Sequence, residues 1–435
     1  MISASLPPTS ATAARSRLMM ILLASQVCGS TGHSLTLAVG SIVAADLTGD
    51  NTLSGLPVAI GALGGALASV PLSWLMARAG RRPGLALGYL LAVLGSILSM
   101  VGVIERSFPI FLVGMFLFGF GQASSLLGRF AAADVSTADQ RGRAIGLIVG
   151  GATAGSIIGP NLLGPATTLA QTVGLPVVGG PFLIGIAGFG LGAILLQLFL
   201  RPDPLTIARE LHVASVGAHA AALASRSARP LRRILQVPRI QIAFGALMTS
   251  QLVMIGTTST AAVYLKDHGH DVGMIGVAVS LHLAGMYMAA PFTGWLCDRV
   301  GRLAMILAGG TILIVATVVA GLAPGSNGLL VASMFFLNGV GWNFAFVSGS
   351  ALLTDALEPQ ERTSMQGFAD LMTGLMGALG STLGGMVLQG WGFAALNGAG
   401  ALLILGPLAA VWLGRGAFAP QPPVERPESA ASSSA

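Results

Sequence analysis

The feature that most constrains this chain is a succession of apolar runs, each about as long as a membrane is thick. A helix needs roughly 20 apolar residues to cross about 30 Å of hydrocarbon. Twelve runs, numbered here as spans 1 to 12, meet this requirement: 18–45, 53–77, 83–104, 108–133, 143–167, 179–200, 238–265, 272–297, 303–323, 328–354, 363–388 and 392–414. No alternating strand pattern of about ten residues accompanies them. The pattern predicts an all-α membrane protein with twelve transmembrane helices.

The composition supports this prediction. Of the 435 residues, 54% are hydrophobic and only 9% are charged, whereas a soluble domain has about 25% charged residues. A chain with so few charges is predicted to lie in the lipid bilayer. Its net charge of +6 does not indicate a nucleic-acid partner, because the basic residues form no aromatic-interleaved patch. Cys28 and Cys297 lie in or beside spans, so no disulfide framework is expected.

The positions of the basic residues predict the orientation. If the N-terminus is cytoplasmic, 19 of the 22 basic residues fall in inner segments, Arg106 and Lys266 fall in outer loops, and Arg129 lies inside a span. Such an excess on one side is typical of cytoplasmic loops. We therefore expect a cytoplasmic tail at 1–17, six-helix bundles at 18–200 and 238–414, a cytoplasmic loop at 201–237 and a disordered cytoplasmic tail at 415–435.

The chain contains an internal repeat with an offset of 221 positions. Trp74, Leu75, Arg78, Gly80 and Arg81 recur as Trp295, Leu296, Arg299, Gly301 and Arg302, and Asp134, Arg141 and Gly146 recur as Asp355, Arg362 and Gly367. Both sets lie at the same place in each half. Parallel repeats of six helices, with a substrate site between them near the midplane, are one architecture of secondary transporters.

One segment of the repeat resembles a known signature. Residues 294–302 match the loop motif G-x-L-x-D-R-x-G-R of the major facilitator superfamily, and the first-half copy has Ser73 and Ala77 in place of the glycine and the aspartate. The resemblance covers about residues 18–414 and is to bacterial permeases of unassigned substrate. It implies two pseudo-symmetric six-helix bundles in the bacterial cytoplasmic membrane. It also implies an inner gate at Arg78, Gly80, Arg81, Asp298, Arg299, Gly301 and Arg302, with Asp298 as its main acid.

Span 5 carries a second motif. Residues 155–160 resemble the G-x-x-x-G-P signature of proton-coupled exporters, and Gly151, Gly155, Gly159 and Pro160 make up a predicted helix-packing motif. Small residues four positions apart let two helices approach closely. The pattern is explained by tight packing alone or by packing that also permits the two halves to rock.

Polar residues recur at helical spacing on four spans. These predicted cavity residues are Gln26, Ser30 and His33 on span 1, Gln122, Ser125 and Arg129 on span 4, Gln251 and Thr258 on span 7, and Asn338, Trp342 and Asn343 on span 10. Resemblance implies that these four spans line the substrate cavity. Each residue alone could instead bridge two helices, a contact worth about 0.6 kcal/mol.

Two charges, Arg129 and Asp370, are predicted to lie well inside spans. Charges inside a membrane are usually functional, and the resemblance associates Arg129 with proton coupling. We therefore predict that Arg129 and Asp370 couple transport to protons, with His33 a weaker candidate and His282 weaker still. The alternative for Asp370 is a structural bond to a loop arginine, and for Arg129 a bond to Asp134.

Other functions lack a sequence basis. Lys266 is the only lysine, so no Walker A motif exists, and no cofactor is expected. The loop 267–271 is predicted to be solvated rather than a metal site. An enzyme would need a reactive constellation and a channel would need a filter. The sequence thus predicts a monomeric secondary transporter, with protons and a neutral or amphipathic organic substrate as partners. A monoanionic substrate stays open, and proton-coupled export by antiport is favoured over uptake by symport.

Overall fold

A computed structural model describes residues 8–49, 53, 55–216 and 229–413, and in these ranges it contains helices and no strand. The α-helices are Pro8–Thr48, Leu56–Ala79, Arg81–Ile104, Phe108–Asp134, Arg141–Asn161, Leu163–Thr172, Gly180–Phe199, Pro204–Val216, Leu231–Ile234, Pro238–Thr258, Ala261–Asp267, Val272–Tyr287, Ala290–Val300, Arg302–Leu322, Gly328–Ala356 and Pro359–Leu413. Short 3₁₀ turns at Ala138–Gln140 and Val177–Gly179 precede spans 5 and 6.

The number of membrane spans agrees with the sequence. Eleven helical segments in the described ranges are long and apolar enough to cross a membrane. The last of them, Pro359–Leu413, contains Gly392 with φ 82° and ψ 175°. Only glycine adopts this backbone conformation readily, so Gly392 divides the helix into spans 11 and 12. The all-α, twelve-helix prediction is confirmed.

Several boundaries differ from the predicted ones. Span 5 was expected to reach residue 167, but its helix ends at Asn161 and a separate helix begins at Leu163. Pro160, a residue type that kinks or interrupts helices, lies one residue before the end of this helix. Span 7 is likewise interrupted after Thr258 and span 8 after Tyr287.

The first helix begins earlier than expected. It starts at Pro8, a residue type suited to the first helical turn, so residues 8–17 of the predicted tail are helical. Arg15 from this segment donates to the Val135 carbonyl at 2.8 Å. The predicted loop 201–237 contains helices Pro204–Val216 and Leu231–Ile234. Residues 217–228 and the predicted disordered tail 415–435 lie outside the described residues.

Each half has its own apolar core. One cluster of buried side chains comes entirely from residues 18–200. A second comes mainly from residues 234–411, with Ala133, Ile145 and Val149 of the first half packed into it. The two bundles thus have separate apolar cores, which meet along spans 4 and 5.

We call the end of the molecule that holds the turns after spans 2, 4, 8 and 10 the arginine-rich end. Two of its turns pass through Gly80 (φ 100°) and Gly301 (φ 104°), which explains why glycine stands at both positions of the repeat. These turns bring Arg81 and Arg302 to the first residue of spans 3 and 9.

Candidate functional site

The two halves meet at the arginine-rich end. Span 2 packs against span 11, and span 5 packs against span 8. A Cβ on Gly146 would collide with the Ala290 carbonyl, and a Cβ on Gly367 would collide with Ser73. Gly146 and Gly367 are mates in the repeat, so both copies use glycine to admit the facing helix. The described part of the chain is therefore closed at this end.

A cluster of charges repeats on either side of this contact. In the first half, Arg81 Nε lies 2.8 Å from Asp134, and Arg362 of the second half lies 3.9 Å from the same carboxylate. In the second half, Arg302 lies 3.0 Å from Asp355, and Arg141 of the first half lies 2.6 Å from it. Each aspartate therefore pairs with one arginine of its own half and faces one of the other half.

Asp298 joins the halves in a different way. Its carboxylate accepts hydrogen bonds from the backbone N–H groups of Gly142 at 2.9 Å and Arg143 at 2.8 Å. These N–H groups belong to the first turn of span 5, where they lack helical partners and favour a negative charge. Arg302 lies 3.0 Å from the same carboxylate. Ala77, the mate of Asp298, cannot make such a bond.

The remaining gate arginines make two kinds of contact. The Arg78 guanidinium lies 3.6 Å from the centre of the Trp74 ring, and that of Arg299 lies 4.3 Å from the Trp295 ring. Arg81, by contrast, is fully buried and bonds Gln366 of span 11. Of the predicted gate arginines, Arg81 and Arg302 thus belong to the contact between halves, whereas Arg78 and Arg299 stack on aromatic rings.

Arg129 and Asp370 form a pair across the two halves. Arg129 Nη2 lies 2.5 Å and Nη1 lies 3.2 Å from the two Asp370 oxygens, which is the bidentate geometry that guanidinium and carboxylate favour. Arg129 is 1% exposed and Asp370 is 7% exposed. The alternative pairing of Arg129 with Asp134 does not occur, because Asp134 bonds Arg81.

This pair lies on the pseudo-twofold axis. Arg129 Nε donates to Ser350 Oγ at 3.2 Å, and Ser350 is the mate of Arg129, 221 positions later. Two mates can touch only close to the axis that relates the halves. The mate of Asp370 is Val149, so the symmetric positions carry no second charge pair. Phe130 and Phe346 also face the guanidinium, at 4.1 and 4.4 Å.

The predicted cavity residues of spans 1 and 4 differ in exposure. Gln26 is buried, whereas Ser30, His33, Gln122 and Ser125 are partly exposed. The His33 ring stacks on Phe118, and its Nδ1 is buried without a hydrogen-bond partner. The Ser125 hydroxyl bonds Tyr89 at 3.0 Å. His33 takes no part in the hydrogen bonds and ring contacts of Arg129 and Asp370 described above.

Spans 7 and 10 hold their predicted residues against each other. Trp342 Nε1 donates to Gln251 Oε1 at 2.7 Å, and its ring stacks on Phe346 with 4.5 Å between centroids. Thr258 is partly exposed and bonds the Met254 carbonyl. Phe346 contacts both Trp342 and the Arg129 guanidinium. Gln251 and Trp342 are therefore the predicted cavity residues of spans 7 and 10 that lie next to the Arg129–Asp370 pair.

Two asparagines of span 10 bridge helices. Asn338 Nδ2 donates to Thr257 Oγ1 at 3.1 Å, and Asn343 Nδ2 donates to the Met286 carbonyl at 2.6 Å. Their Oδ1 atoms are buried without partners. These contacts match the bridging alternative, and cavity lining by the two asparagines stays a prediction.

The span 5 glycines pack against span 1. A Cβ on Gly155 would collide with Ser30, one on Gly159 with Ser34, and one on Gly151 with Leu23.

The other predicted titratable groups make local contacts. His282 bonds the Phe335 carbonyl at 3.0 Å and joins spans 8 and 10. In the loop 267–271, His268 bonds the Tyr264 carbonyl, and the described residues include no group of three metal-ligating side chains.

Sequence reasoning missed several partners at the arginine-rich end. Asp203 accepts from the backbone N–H groups of Arg81 and Arg82 at 3.0 and 2.8 Å, and so stabilises the start of span 3. Glu361 pairs with Arg229 at 2.6 Å, and this carboxylate raises the pKa of the Arg229 guanidinium. Asp203 directly precedes a proline-initiated helix, which was the available signal for a capping role.

The twelve spans, the two cores and the contact at one end define a membrane protein built from two similar six-helix bundles, which is one architecture of secondary transporters. The family model of the Major Facilitator Superfamily matches residues 22–271 and 242–435. The chain belongs to this superfamily of transporters.

Individual relatives cover nearly the whole chain. It is 32% identical over 391 residues to the uncharacterized MFS-type transporter YdeG of Bacillus subtilis, covering 89% of this chain and 90% of that one. It is 30% identical over 393 residues to the riboflavin transporter RfnT of Brucella anthropi, covering 89% and 93%. The fold resembles that of the Escherichia coli fucose:proton symporter FucP, with a TM-score of 0.71, 16% identity, and coverage of 91% and 98%.

Proposed function

We propose that this transporter exports a small organic solute in exchange for protons, and that Arg129 and Asp370 couple the two movements. The observation that supports the proposal is the buried bidentate pair between the halves. The pair joins span 4 of one half to span 11 of the other, and Arg129 stands only five residues before Asp134, the last residue of its helix at the closed end. If the arginine-rich end is cytoplasmic, the protein is closed on its cytoplasmic side.

The coupling follows from what opening this end requires. Span 4 must part from spans 10 and 11, so the Arg129–Asp370 pair must break. Removing one partner of a buried pair costs about 3–5 kcal/mol. Arg129 cannot release its proton, but Asp370 can bind one. Protonation of Asp370 therefore makes separation of the halves less costly, and a substrate group that bonds Arg129 would do the same.

The surroundings of the pair favour a planar, heteroaromatic substrate. Trp342 and Phe346 present stacked rings beside Arg129, and Gln251 supplies a polar amide. RfnT, a relative at 30% identity, is a riboflavin transporter, and riboflavin combines a planar ring system with polar groups. We propose a neutral or amphipathic solute of this chemical class, which aromatic rings can stack on.

The test uses purified protein in liposomes with an imposed pH gradient and riboflavin as the first probe. Asp370→Asn should abolish proton-driven accumulation and retain exchange of substrate down its own gradient. Arg129→Ala should impair both, because it leaves Asp370 buried without a partner. Ser350→Ala, which removes only the 3.2 Å bond to Arg129, is the matched control. An Asp370→Asn protein that still accumulates substrate with unchanged pH dependence would overturn the proposal.

Uptake by proton symport is the second candidate, because the riboflavin transporter RfnT handles a vitamin rather than a drug. The two mechanisms move the solute in opposite directions relative to the pH gradient, whatever the orientation of the protein. Antiport moves the solute towards the acidic compartment, whereas symport moves it towards the alkaline one. Solute accumulation under opposite pH gradients decides between them.

The orientation is proposed from the basic residues alone. Tags inserted within 205–225 and after Gly414 should both be reached from the cytoplasm, with a tag in the loop 267–271 as the external control. An external signal from either of the first two tags would contradict the proposed orientation.

A further inference from the structure

A cavity of about 240 Å³ lies beneath helix Pro204–Val216 at the arginine-rich end. Its lining residues are Asp134, Ser136, Thr137, Ala138, Arg141, Ala208, Leu211 and Arg362. They come from the turn before span 5, from helix Pro204–Val216, called the central helix below, and from span 11 of the second half. A water molecule takes up about 30 Å³ in the liquid, so the space can hold a small polyatomic ion.

One carboxylate oxygen in this cavity lacks a hydrogen-bond donor. Asp134 is 1% exposed, and its Oδ2 accepts from Arg81 at 2.8 Å, but its Oδ1 has no hydrogen-bond partner. Arg362 Nη1 lies 3.9 Å from Oδ1, too far for a hydrogen bond. A buried acceptor left unpaired is costly. A ligand that fits here must offer a donor to Asp134.

The repeat shows that the unpaired carboxylate oxygen is specific to the first half. Asp355, the mate of Asp134, has both oxygens bonded, at 2.6 Å to Arg141 and 3.0 Å to Arg302. The corresponding Arg362–Asp134 distance is 3.9 Å. The central helix, which covers the first-half cluster, has no counterpart among the described residues of the second half.

The charge around the cavity favours an anion. The two linked clusters contain four arginines and three aspartates, namely Arg81, Arg141, Arg302, Arg362, Asp134, Asp298 and Asp355. Arg15 and Asp139 nearby add one charge of each sign. One positive charge therefore remains uncompensated. Arg141 Nε is also buried without a partner and can donate to an anion.

We propose that this cavity binds a phosphate-type oxyanion that still carries a proton. Its hydroxyl would donate to Asp134 Oδ1, and its charged oxygens would accept from Arg141 and Arg362. Such an ion bridges the halves, because Asp134 and Arg141 belong to the first and Arg362 to the second. It can bind in this way only while the arginine-rich end is closed, so it shifts the population towards that conformation. This inference does not depend on proton coupling.

The test compares phosphate with sulfate, which has no proton to donate near neutral pH. The midpoint of thermal unfolding of the purified full-length chain is measured in 10 mM inorganic phosphate and in sulfate at equal ionic strength. The midpoint in phosphate should be higher by on the order of 3 °C. Ala208→Leu, which fills the cavity without changing its charges, should abolish the difference. Ser136→Ala should keep it, because the Ser136 hydroxyl already bonds the Ala132 carbonyl at 2.9 Å.

Two further measurements make the result decisive. In Asp134→Asn the side-chain amide can donate, so sulfate should stabilise as well as phosphate does. Nanodiscs containing phosphatidic acid, compared with neutral nanodiscs in the absence of phosphate, show whether a lipid headgroup supplies the same chemistry. The proposal is overturned if neither phosphate nor phosphatidic acid stabilises the chain, or if Ala208→Leu responds like the unmodified protein.

Discussion

The two copies of the Arg–Asp–Arg cluster have the same residues in different surroundings. In the first half, the side chains of Arg81 and Asp134 are both 0% exposed, and the arginine from the other half stands 3.9 Å away. In the second half, the side chains of Arg302 and Asp355 are 14% and 22% exposed, and the crossing arginine is at 2.6 Å. The first copy is fully buried and reaches the other half through the bond of Arg81 to Gln366 rather than through its crossing arginine, whereas the second is partly exposed and bonds its crossing arginine directly.

This difference indicates how the closed end is held. The second-half cluster bonds across the interface directly, and Asp298 adds two backbone hydrogen bonds to span 5. The first-half cluster mainly bonds within its own half and is covered by helix Pro204–Val216. We infer that the second-half cluster controls opening and that the first-half cluster mainly stabilises its bundle. The following substitutions test this division.

The largest effect is expected for Arg81→Ala. It leaves the buried Asp134 without its arginine, so the free energy of unfolding should fall by about 3–5 kcal/mol. Arg302→Ala should cost about 1 kcal/mol, since water can reach Asp355. Thermal unfolding in detergent compares the two proteins, and Arg82→Ala, which changes a neighbouring arginine, is the control. Equal losses of unfolding free energy for Arg81→Ala and Arg302→Ala would remove the distinction between a fully buried and a partly exposed cluster.

The sequence predicted the fold well because the spans and the repeat are patterns of composition and spacing. It also singled out Arg129 and Asp370, which form a buried pair, since charges within apolar spans are conspicuous; their role in proton coupling stays a prediction. The buried cluster was not predicted, because Arg81 and Asp134 lie at span ends and resemble loop charges. A signal was present: Arg81 and Asp134 are 53 positions apart, as are Arg302 and Asp355. Contacts between the halves, such as that between Arg81 and Gln366, have no local sequence signal.

The next effect concerns the glycine mates Gly146 and Gly367. Gly146→Ala would place a methyl group against the Ala290 carbonyl, whereas Gly367→Ala meets the Ser73 side chain. The Ala290 backbone cannot move aside easily. Gly146→Ala should therefore open the arginine-rich end, because overpacking destabilises the closed conformation by about 1–3 kcal/mol. Cys297, which is 0% exposed and faces Gly142, reports opening through its rate of maleimide labelling in a Cys28→Ser background.

Ser73→Gly sharpens this comparison. It provides the glycine that stands at the mate position, Gly294, and removes the hydroxyl that a Cβ on Gly367 would meet. The combination Ser73→Gly with Gly367→Ala should therefore label more slowly than Gly367→Ala alone. No rescue would show that the contact with the Ser69 carbonyl, at 2.6 Å from the added Cβ, decides the outcome.

A smaller effect is expected for Asp298→Asn. An amide is a weaker acceptor than a carboxylate at a helix N-terminus, a difference of about 1 kcal/mol. The closed conformation should become less populated, so Cys297 should label faster and transport should change. Asp203→Asn is the matched control, since Asp203 bonds span 3 within the first half and should leave the labelling rate unchanged. Normal transport by Asp298→Asn would contradict the predicted role of Asp298 in the inner gate.

The smallest effect is expected for Ala77→Asp, which restores the acid that the first half lacks. Asp298 works because Gly142 and Arg143 lie in the first turn of their helix, where N–H groups are free. Their mates are Thr363 and Ser364, but the span 11 helix begins at Pro359. Thr363 is therefore already past the first turn, and its N–H bonds within the helix. The new carboxylate would find no free N–H group there and would interact only with side chains and the helix dipole. It should therefore stabilise the closed conformation by less than about 0.5 kcal/mol and leave transport intact. Ala77→Asp could instead slow Cys297 labelling by as much as Asp298→Asn accelerates it. That result would show that positions 77 and 298 of the inner gate are equivalent.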